Sequence, residues 1–325
     1  LPHAGYPYSG QVAAYGYELA KSLAPGIIVF FAPPHRAYVR GIALSSSDYF
    51  ETPLGKVKID KETASRLAKI EGFSVNDDAH RLEHSIEIHL PFVQRIYGDK
   101  VEKEMPVLPL LVGDLGGEES RYAAAIVKAV RTRNPLIIVS SDFTHYGPRF
   151  EYLPFAEKNT AKLQKALETL DKGAVEPILK FNKDAFLRYY EKTGITVCGR
   201  NPIALALALP FTITEGKLLK YDTSCAITGE CDHSVSYAAI AIGGTFSDAP
   251  HDSPAMKALS PSDKTFLLQL ARKSIRSVLF EGKKIAMERA KVPPSCCIKQ
   301  GVFVTLKKTG ELRGCIGTVL PDDAL

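Results

Sequence analysis

Two histidines sit on turns where a sheet edge would present them. His3 lies in Leu1-Pro2-His3-Ala4-Gly5-Tyr6, and His35 follows the apolar run 27–31 and the turn Ala32-Pro33-Pro34. Either one alone reads as a surface histidine. Two at equivalent exits, with a cysteine-bearing loop late in the chain, are the raw material of a metal site, because turns at the end of a rigid sheet aim side chains into a cleft. That loop, Asp222 to His233, offers Cys225, Glu230 and Cys231, and a thiolate with two imidazoles suits iron, copper or zinc.

Two further motifs carry titratable groups. Ser140-Ser141-Asp142-Phe143-Thr144-His145 follows the apolar run 136–139, so Asp142 and His145 fall just past a strand's carboxyl end, where open α/β sheets bind ligands. An aspartate three residues ahead of a histidine suits a general acid–base pair, with Asp142 orienting His145. Glu83-His84-Ser85-Ile86-Glu87-Ile88-His89 places Glu83 and His84 at a helix start facing the cleft, while His89 lies on the apolar stripe and reads as core. The run is not HExxH, which excludes the zinc-protease pattern. Cys198, in Val197-Cys198-Gly199-Arg200, reads as a small buried apolar residue.

The elements that must hold these residues alternate between strand and helix. Apolar runs at 27–31, 41–45, 105–112 and 135–139 read as strands, and 60–70, 84–97 and 118–131 as helices. The order strand, helix, strand across 105–139 suggests parallel neighbours in an α/β sheet. Residues 152–190 read as largely helical, 202–209 as a tightly packed apolar helix, and 217–223 and 234–246 as closing strands. The stretch 247–254 is a linker by composition, after which a helix starts at Ser260-Pro261 and two strands flank Lys308-Thr309-Gly310.

Composition narrows the class. Residues 251–325 hold 13 of the 41 Lys+Arg and 7 of the 36 Asp+Glu, or +6, which leaves −1 for residues 1–250. That break supports two units. The basic excess is scattered, which argues for a solvated helix face and against nucleic-acid binding. The six cysteines are too sparse for a disulfide scaffold, so free thiols in a reducing, cytoplasmic setting are expected. The longest apolar stretch, 203–211, is far short of the ~20 residues that span a bilayer, so no membrane role is expected. No strand precedes the turn that carries His3. The fragment is therefore expected to lack its first strand, to bind metal more weakly than an intact protein would, and to stop at Leu325 without a domain ending.

The motifs at 2–6, 83–91, 140–145, 198–200 and 234–238, in that order, resemble the Memo-like family, also called AmmeMemoRadiSam system protein B. That family is similar in fold to class III extradiol dioxygenases of the LigB type. The resemblance implies an α/β fold with a central mixed sheet flanked by helices over residues 1–246. It also implies a mononuclear non-haem metal site with His3 and His35 as ligands and a third from the 225–231 loop, for which Cys225 is the choice. His145 corresponds to the acid–base histidine, and Tyr6, Glu83 and His84 are expected to line the substrate pocket. The expected activity is an extradiol-type oxidation of a catecholic or related small aromatic, with Fe(II) as the metal and copper or zinc as alternatives. The rival reading is a non-enzymatic iron- or copper-binding, redox-handling or peptide-binding protein using the same cleft.

After a linker at 247–259, residues 260–325 resemble the first part of an α+β AMMECR-type domain, AmmeMemoRadiSam system protein A, through Leu312-Arg313-Gly314-Cys315-Ile316-Gly317. Arg313 and Cys315 are candidates for a small reactive site there, with a packed strand cysteine as the equal alternative. The pairing of the two families implies one pathway, with the radical SAM enzyme of the same system as a partner.

Overall fold

The computed structural model describes residues 1–155, 157, 159–247, 261–283, 285, 292–293, 302–308 and 311–318. The chain divides into two units, 1–251 and 252–325. In the first, a five-stranded mixed sheet runs in the order β5-β2-β6-β1-β7. Its strands are β1 (Ile27–Ala32), β2 (Ile42–Leu44), β5 (Phe73–Val75), β6 (Val107–Val112) and β7 (Pro135–Val139). β3 (Tyr49–Thr52) and β4 (Gly55–Lys58) form a separate hairpin. β1 pairs in parallel with both β6 and β7, and β2 pairs in parallel with β5 but antiparallel with β6.

β1 is an interior strand of this sheet, and both of its faces are apolar. Ile27, Val29 and Phe31 join one core cluster, while Ile28, Phe30 and Ala32 join the other, and all six are fully buried. A strand buried on both faces reads as a continuous apolar run and not as an alternation. The run 27–31 therefore announced itself. The expectation that the strands at 105–112 and 135–139 are neighbours needs correction. They run parallel, but β1 lies between them, so the helix Glu119–Val130 crosses over an intervening strand.

The stripe expected over 84–97 is present, but the helix is broken into His84–Glu87 and Leu90–Tyr97. Pro91 explains the break: its ring clashes with the carbonyl four residues back, at Glu87, and it has no N–H to donate. Ile86, Leu90 and Val93 still bury on one side, because both short helices pack on the same core.

A second sheet holds β8 (His145–Tyr146), β10 (Ser234–Phe246) and β9 (Phe211–Thr223), all antiparallel. Between β9 and β10 the chain forms the short helix Ser224–Thr228 and a loop. The helices Thr160–Leu179 and Lys183–Thr193 cover this sheet through a core that includes Ala174, Ile178 and Phe186. Among the described residues no helix is long and apolar enough to cross a membrane.

The second unit has the helix Pro261–Arg276, extended by one π turn at Ser277–Glu281. It also has an antiparallel hairpin of β11 (Val302–Lys308) and β12 (Glu311–Thr318). Cys315 stands opposite Thr305, and Arg313 falls at the register shift in this hairpin. The 247–259 linker lies outside the described residues apart from Ser247.

Candidate metal centre

β1 and β7 are adjacent and parallel, so the turns after them open on the same edge of the sheet. The first brings His35, the second Ser140 to His145. His3 is seated by the β7 turn. Leu1 N donates to Val139 O at 2.7 Å and Ser141 N donates to Leu1 O at 2.9 Å, one step of a parallel ladder. The backbone N–H of His3 then donates to Asp142 Oδ1 at 2.8 Å. His3 is thus fixed from the β7 side.

Ser140 sets the tautomer of His3. Its hydroxyl has a single proton, donated to Ser85 O at 2.6 Å. The same oxygen meets His3 Nδ1 at 2.7 Å and His89 Nε2 at 3.0 Å. Both ring nitrogens must therefore be donors there, an assignment made from the network. His3 keeps its lone pair on Nε2, which faces Cys198 Sγ at 3.3 Å. The corresponding Nδ1 of His89 is buried without a partner.

Glu83 does the same for the other two histidines. Its carboxylate accepts from His35 Nδ1 at 3.0 Å and from His84 Nδ1 at 3.2 Å. It also caps the short helix by accepting from the N–H groups of His84 and Ser85, each at 2.9 Å, and takes the backbone N–H of His35. Burial alone would raise the pKa of Glu83. The bonds from His35, His84 and Ser85 outweigh it and hold the carboxyl far below the usual carboxylate range. With Nδ1–H donating to Glu83, His35 and His84 also present Nε2 lone pairs. The bond to Glu83 raises the pKa of His84.

One ring nitrogen each from His3, His35 and His84 lies within 4.8 Å of the other two. Metal–nitrogen bonds of about 2.1 Å would place such atoms roughly 3.4 Å apart in a tetrahedral site, so a small inward shift of the rings completes a three-nitrogen seat. His3 is buried, whereas His35 and His84 face solvent, which leaves one side of the seat open. Burial lowers the pKa of His3 well below its ordinary value, with the His35 and His84 charges adding to the effect, so the neutral, metal-competent ring is favoured.

The other expected residues are placed as follows. Tyr6 is at the rim, its hydroxyl donating to Ile88 O at 3.0 Å and its ring edge-on to Phe92. His145 is half-buried. Its Nδ1 lies 2.9 Å from Phe143 O and 3.0 Å from Thr196 O, so Nδ1 carries a proton, donated to these carbonyls. These two carbonyls orient His145. The expectation that Asp142 does so is corrected, because its carboxylate is engaged by the backbone N–H groups of His3 and Ala4. Burial pushes the Asp142 carboxyl upward.

Cys225 is not brought to His3 and His35. It is disulfide-bonded to Cys231, and its Sγ accepts from Gln164 Nε2 at 3.2 Å. Gln164 of the helix Thr160–Leu179 thus meets Cys225, and Glu230 is left exposed. A sulfur committed to a disulfide has no thiolate to offer a metal. The expectation of free thiols is corrected for the same pair. Among the described residues the free cysteine is Cys198.

Cys198 reads from the sequence as core packing, and the structure puts it beside the seat. Its Sγ accepts from Asp142 N at 3.2 Å. Burial first, and the Asp142 charge second, push the thiol well above its ordinary pKa. Gly199 lets this turn sit close, since a Cβ there would come 2.4 Å from Ser141 Cβ. A glycine beside a lone cysteine was the one local sign of a close approach.

The buried imidazoles give a pH prediction. His89 is held well below its ordinary value of 6.5 by desolvation. Above about pH 7 it is neutral whether folded or unfolded. Below 6.5 the unfolded chain takes up a proton that folded His89 refuses, so stability falls as pH drops, by up to about 1.4 kcal/mol per pH unit for each such group. Urea midpoints of the metal-free protein will decrease from pH 7.5 to pH 5, and less steeply in His89→Gln. A flat profile would contradict this account.

A Memo-like protein family model matches residues 1–241. The chain belongs to the Memo-like family. An AMMECR1 model matches residues 268–325, so the Memo-like unit is followed by an AMMECR1 domain. The chain is 33% identical to "Protein memo-1 homolog" of Caenorhabditis elegans over 73% of this chain and 69% of that one. It is 35% identical to a MEMO1 family protein of Methanopyrus kandleri over 74% and 80%, and 32% identical to "Protein MEMO1" of Mus musculus over 74% and 83%. The Memo-like family is related in fold to the extradiol dioxygenases, which agrees with the mixed sheet and with a site at the ends of β1 and β7.

Proposed function

We propose that the Memo-like unit binds a single transition-metal ion, iron(II) first, between His3, His35 and His84, with the Cys198 thiolate as the anionic donor. One observation carries this reading: three imidazoles converge within 4.8 Å, each with Nδ1–H already committed to an acceptor. Anchored ring N–H groups are the supporting pattern of metal-ligating histidines, since they fix orientation and basicity. Soft sulfur with imidazole suits iron, copper or zinc. Cys198 Sγ, at 3.3 Å, lies nearer His3 Nε2 than the Asp142 carboxylate at 3.9 Å, so the donor set of this reading is nitrogen and sulfur. That chemistry favours a metal-handling or redox role for the site.

A second reading is extradiol-type oxidation of a catecholic or related small aromatic. It is favoured by His145, whose Nδ1–H is fixed by two carbonyls in the turn region after β7, which leaves Nε2 as the ring nitrogen that could take up a proton. A bound ion would supply Lewis acidity and exchange electrons. In this reading His145 takes the substrate hydroxyl proton at Nε2, while Tyr6 and the exposed faces of His35 and His84 border the substrate. The AMMECR1 domain in the same chain supports action within one system, with its radical SAM enzyme as partner.

Anaerobic titration of the apoprotein with iron(II), copper(I) and zinc tests the first reading. One equivalent is expected, and the cobalt-substituted protein is expected to show a thiolate charge-transfer band that disappears in Cys198→Ser. Absence of saturable binding by any of the three ions would end it. Oxygen uptake by iron-loaded protein with catechols tests the second, which fails if no catechol supports uptake.

A further inference from the structure

Outside the metal centre, the feature with unspent chemistry is the loop between β9 and β10. Cys225 and Cys231 close it with a disulfide across a sequence separation of six. The two sulfurs have different surroundings. Cys225 is buried, 1% exposed, with the Gln164 side-chain N–H donating to its Sγ. Cys231 is half-buried and lies next to the exposed residues 226–230 and 232–233. A nucleophile therefore reaches Cys231 Sγ first, and the hydrogen bond from Gln164 stabilises Cys225 as the leaving thiolate.

The same loop is tied to the strand that carries His145. Cys231 packs on the small core of Tyr146, Leu163 and Leu167. Three residues later Ser234 pairs with Tyr146 and Val235 pairs with His145. The short helix holds the start of β10 as well: Ser224 Oγ accepts from Val235 N at 2.9 Å, and Cys225 N donates to Ser234 Oγ at 3.4 Å. His233 lies against Gly147, where φ is +120° and a Cβ would come 2.8 Å from His233 Nδ1. Its ring meets Phe150, which stands edge-on to His145 at 5.1 Å.

We propose that Cys225 and Cys231 are a thiol–disulfide exchange pair, taking electrons from a dithiol reductant, whose state sets the order of the 229–235 segment and through it the seating of His145. The balance is simple. One thiolate of the dithiol attacks Cys231 Sγ, the Cys225–Cys231 bond breaks, and Cys225 leaves as a thiolate that is then protonated. The second thiol of the reductant resolves the mixed disulfide and releases Cys231. Two electrons pass to the pair, and the reductant becomes a disulfide. Opening removes the covalent tie at Cys231, so the loop gains conformational freedom where it borders β8.

Peptide mapping after alkylation, with and without dithiothreitol, tests the chemistry on the full chain in native buffer. Cys225 and Cys231 are expected to be alkylated only after the dithiol. Alkylation without it, or resistance after it, overturns the proposal. Hydrogen–deuterium exchange tests the consequence. Reduction is expected to speed exchange over 229–235 and 144–146 on the order of 10-fold, the effect of freeing a short closed loop, with β1 unchanged. Cys231→Ser, at the solvent-facing sulfur, is expected to reproduce that pattern with no reductant. If reduced protein and Cys231→Ser both exchange like the oxidised protein, the pair controls nothing and the proposal fails. None of these readouts depends on metal, so this proposal and the metal reading fail separately.

Discussion

His35→Ala is expected to lower affinity for one equivalent of iron(II) on the order of 100-fold or more, with a smaller loss of fold stability than truncation of a buried histidine. The two halves of that expectation rest on different features. His35 stands on a turn and faces solvent, so truncation leaves no buried cavity, and Glu83 loses one donor but keeps four. It supplies one of three converging nitrogens, and loss even of a group that merely orients a ligand costs about 10- to 100-fold in metal affinity. Removing the ligand itself costs at least the upper end of that range. Isothermal titration under anaerobic conditions gives the affinity, and a thermal melt of the apoprotein gives the stability. Unchanged stoichiometry and affinity would rule out the His3–His35–His84 seat.

His3→Ala provides the contrast. The side chain is buried, bonded to Ser140 and facing Cys198. Its loss is expected to weaken binding as much as loss of His35 and also to lower stability. The difference between the two variants separates ligation from packing.

The sequence made the strands and the two turn histidines legible for a physical reason. Runs such as 27–31 are apolar throughout because both faces of β1 are covered, and a turn after such a strand opens at the ligand-binding edge. What it hid were relations made only by convergence. Cys198 meets His3 because the turn carrying Gly199 packs under Ser141, and neither spacing nor periodicity reports that approach. Cys225 is the expected ligand because the family resemblance points to the loop before the last strand, which offers two sulfurs. Those sulfurs bond to each other. His84 was placed in the substrate pocket by its position at a helix start, whereas the structure sets it against His3 and His35, with ring centroids 5.6 and 4.9 Å away. The order β6-β1-β7 departs from the expectation because consecutive parallel strands are usually neighbours, and here β1, earlier in the chain, lies between them.

Glu83 tests whether the seat is built by its support as much as by its ligands. The carboxylate is buried, 5% exposed, and accepts from two ring nitrogens and three backbone N–H groups. Five donors converge on a group with no proton of its own. Glu83→Gln keeps the shape but turns an acceptor oxygen into an NH2 facing those donors. At least one histidine must then move its proton to Nε2 or rotate away, and either change removes a lone pair from the seat. Iron(II) affinity is expected to fall about 10- to 100-fold. Stability is expected to fall by about 1–3 kcal/mol for each donor left unpaired. The pH dependence will change too. A carboxyl held far below its ordinary value of 4.5 stabilises the fold above that pH, and the stabilisation is lost as pH falls toward the folded-state value. In Glu83→Gln that acid-side loss is absent, so the stability difference from wild type narrows from pH 6 to pH 3. Urea unfolding at those two pH values, with metal titration at neutral pH, measures both effects. If Glu83→Gln binds iron(II) as tightly as wild type, the Nδ1 anchoring of His35 and His84 is not what makes the site.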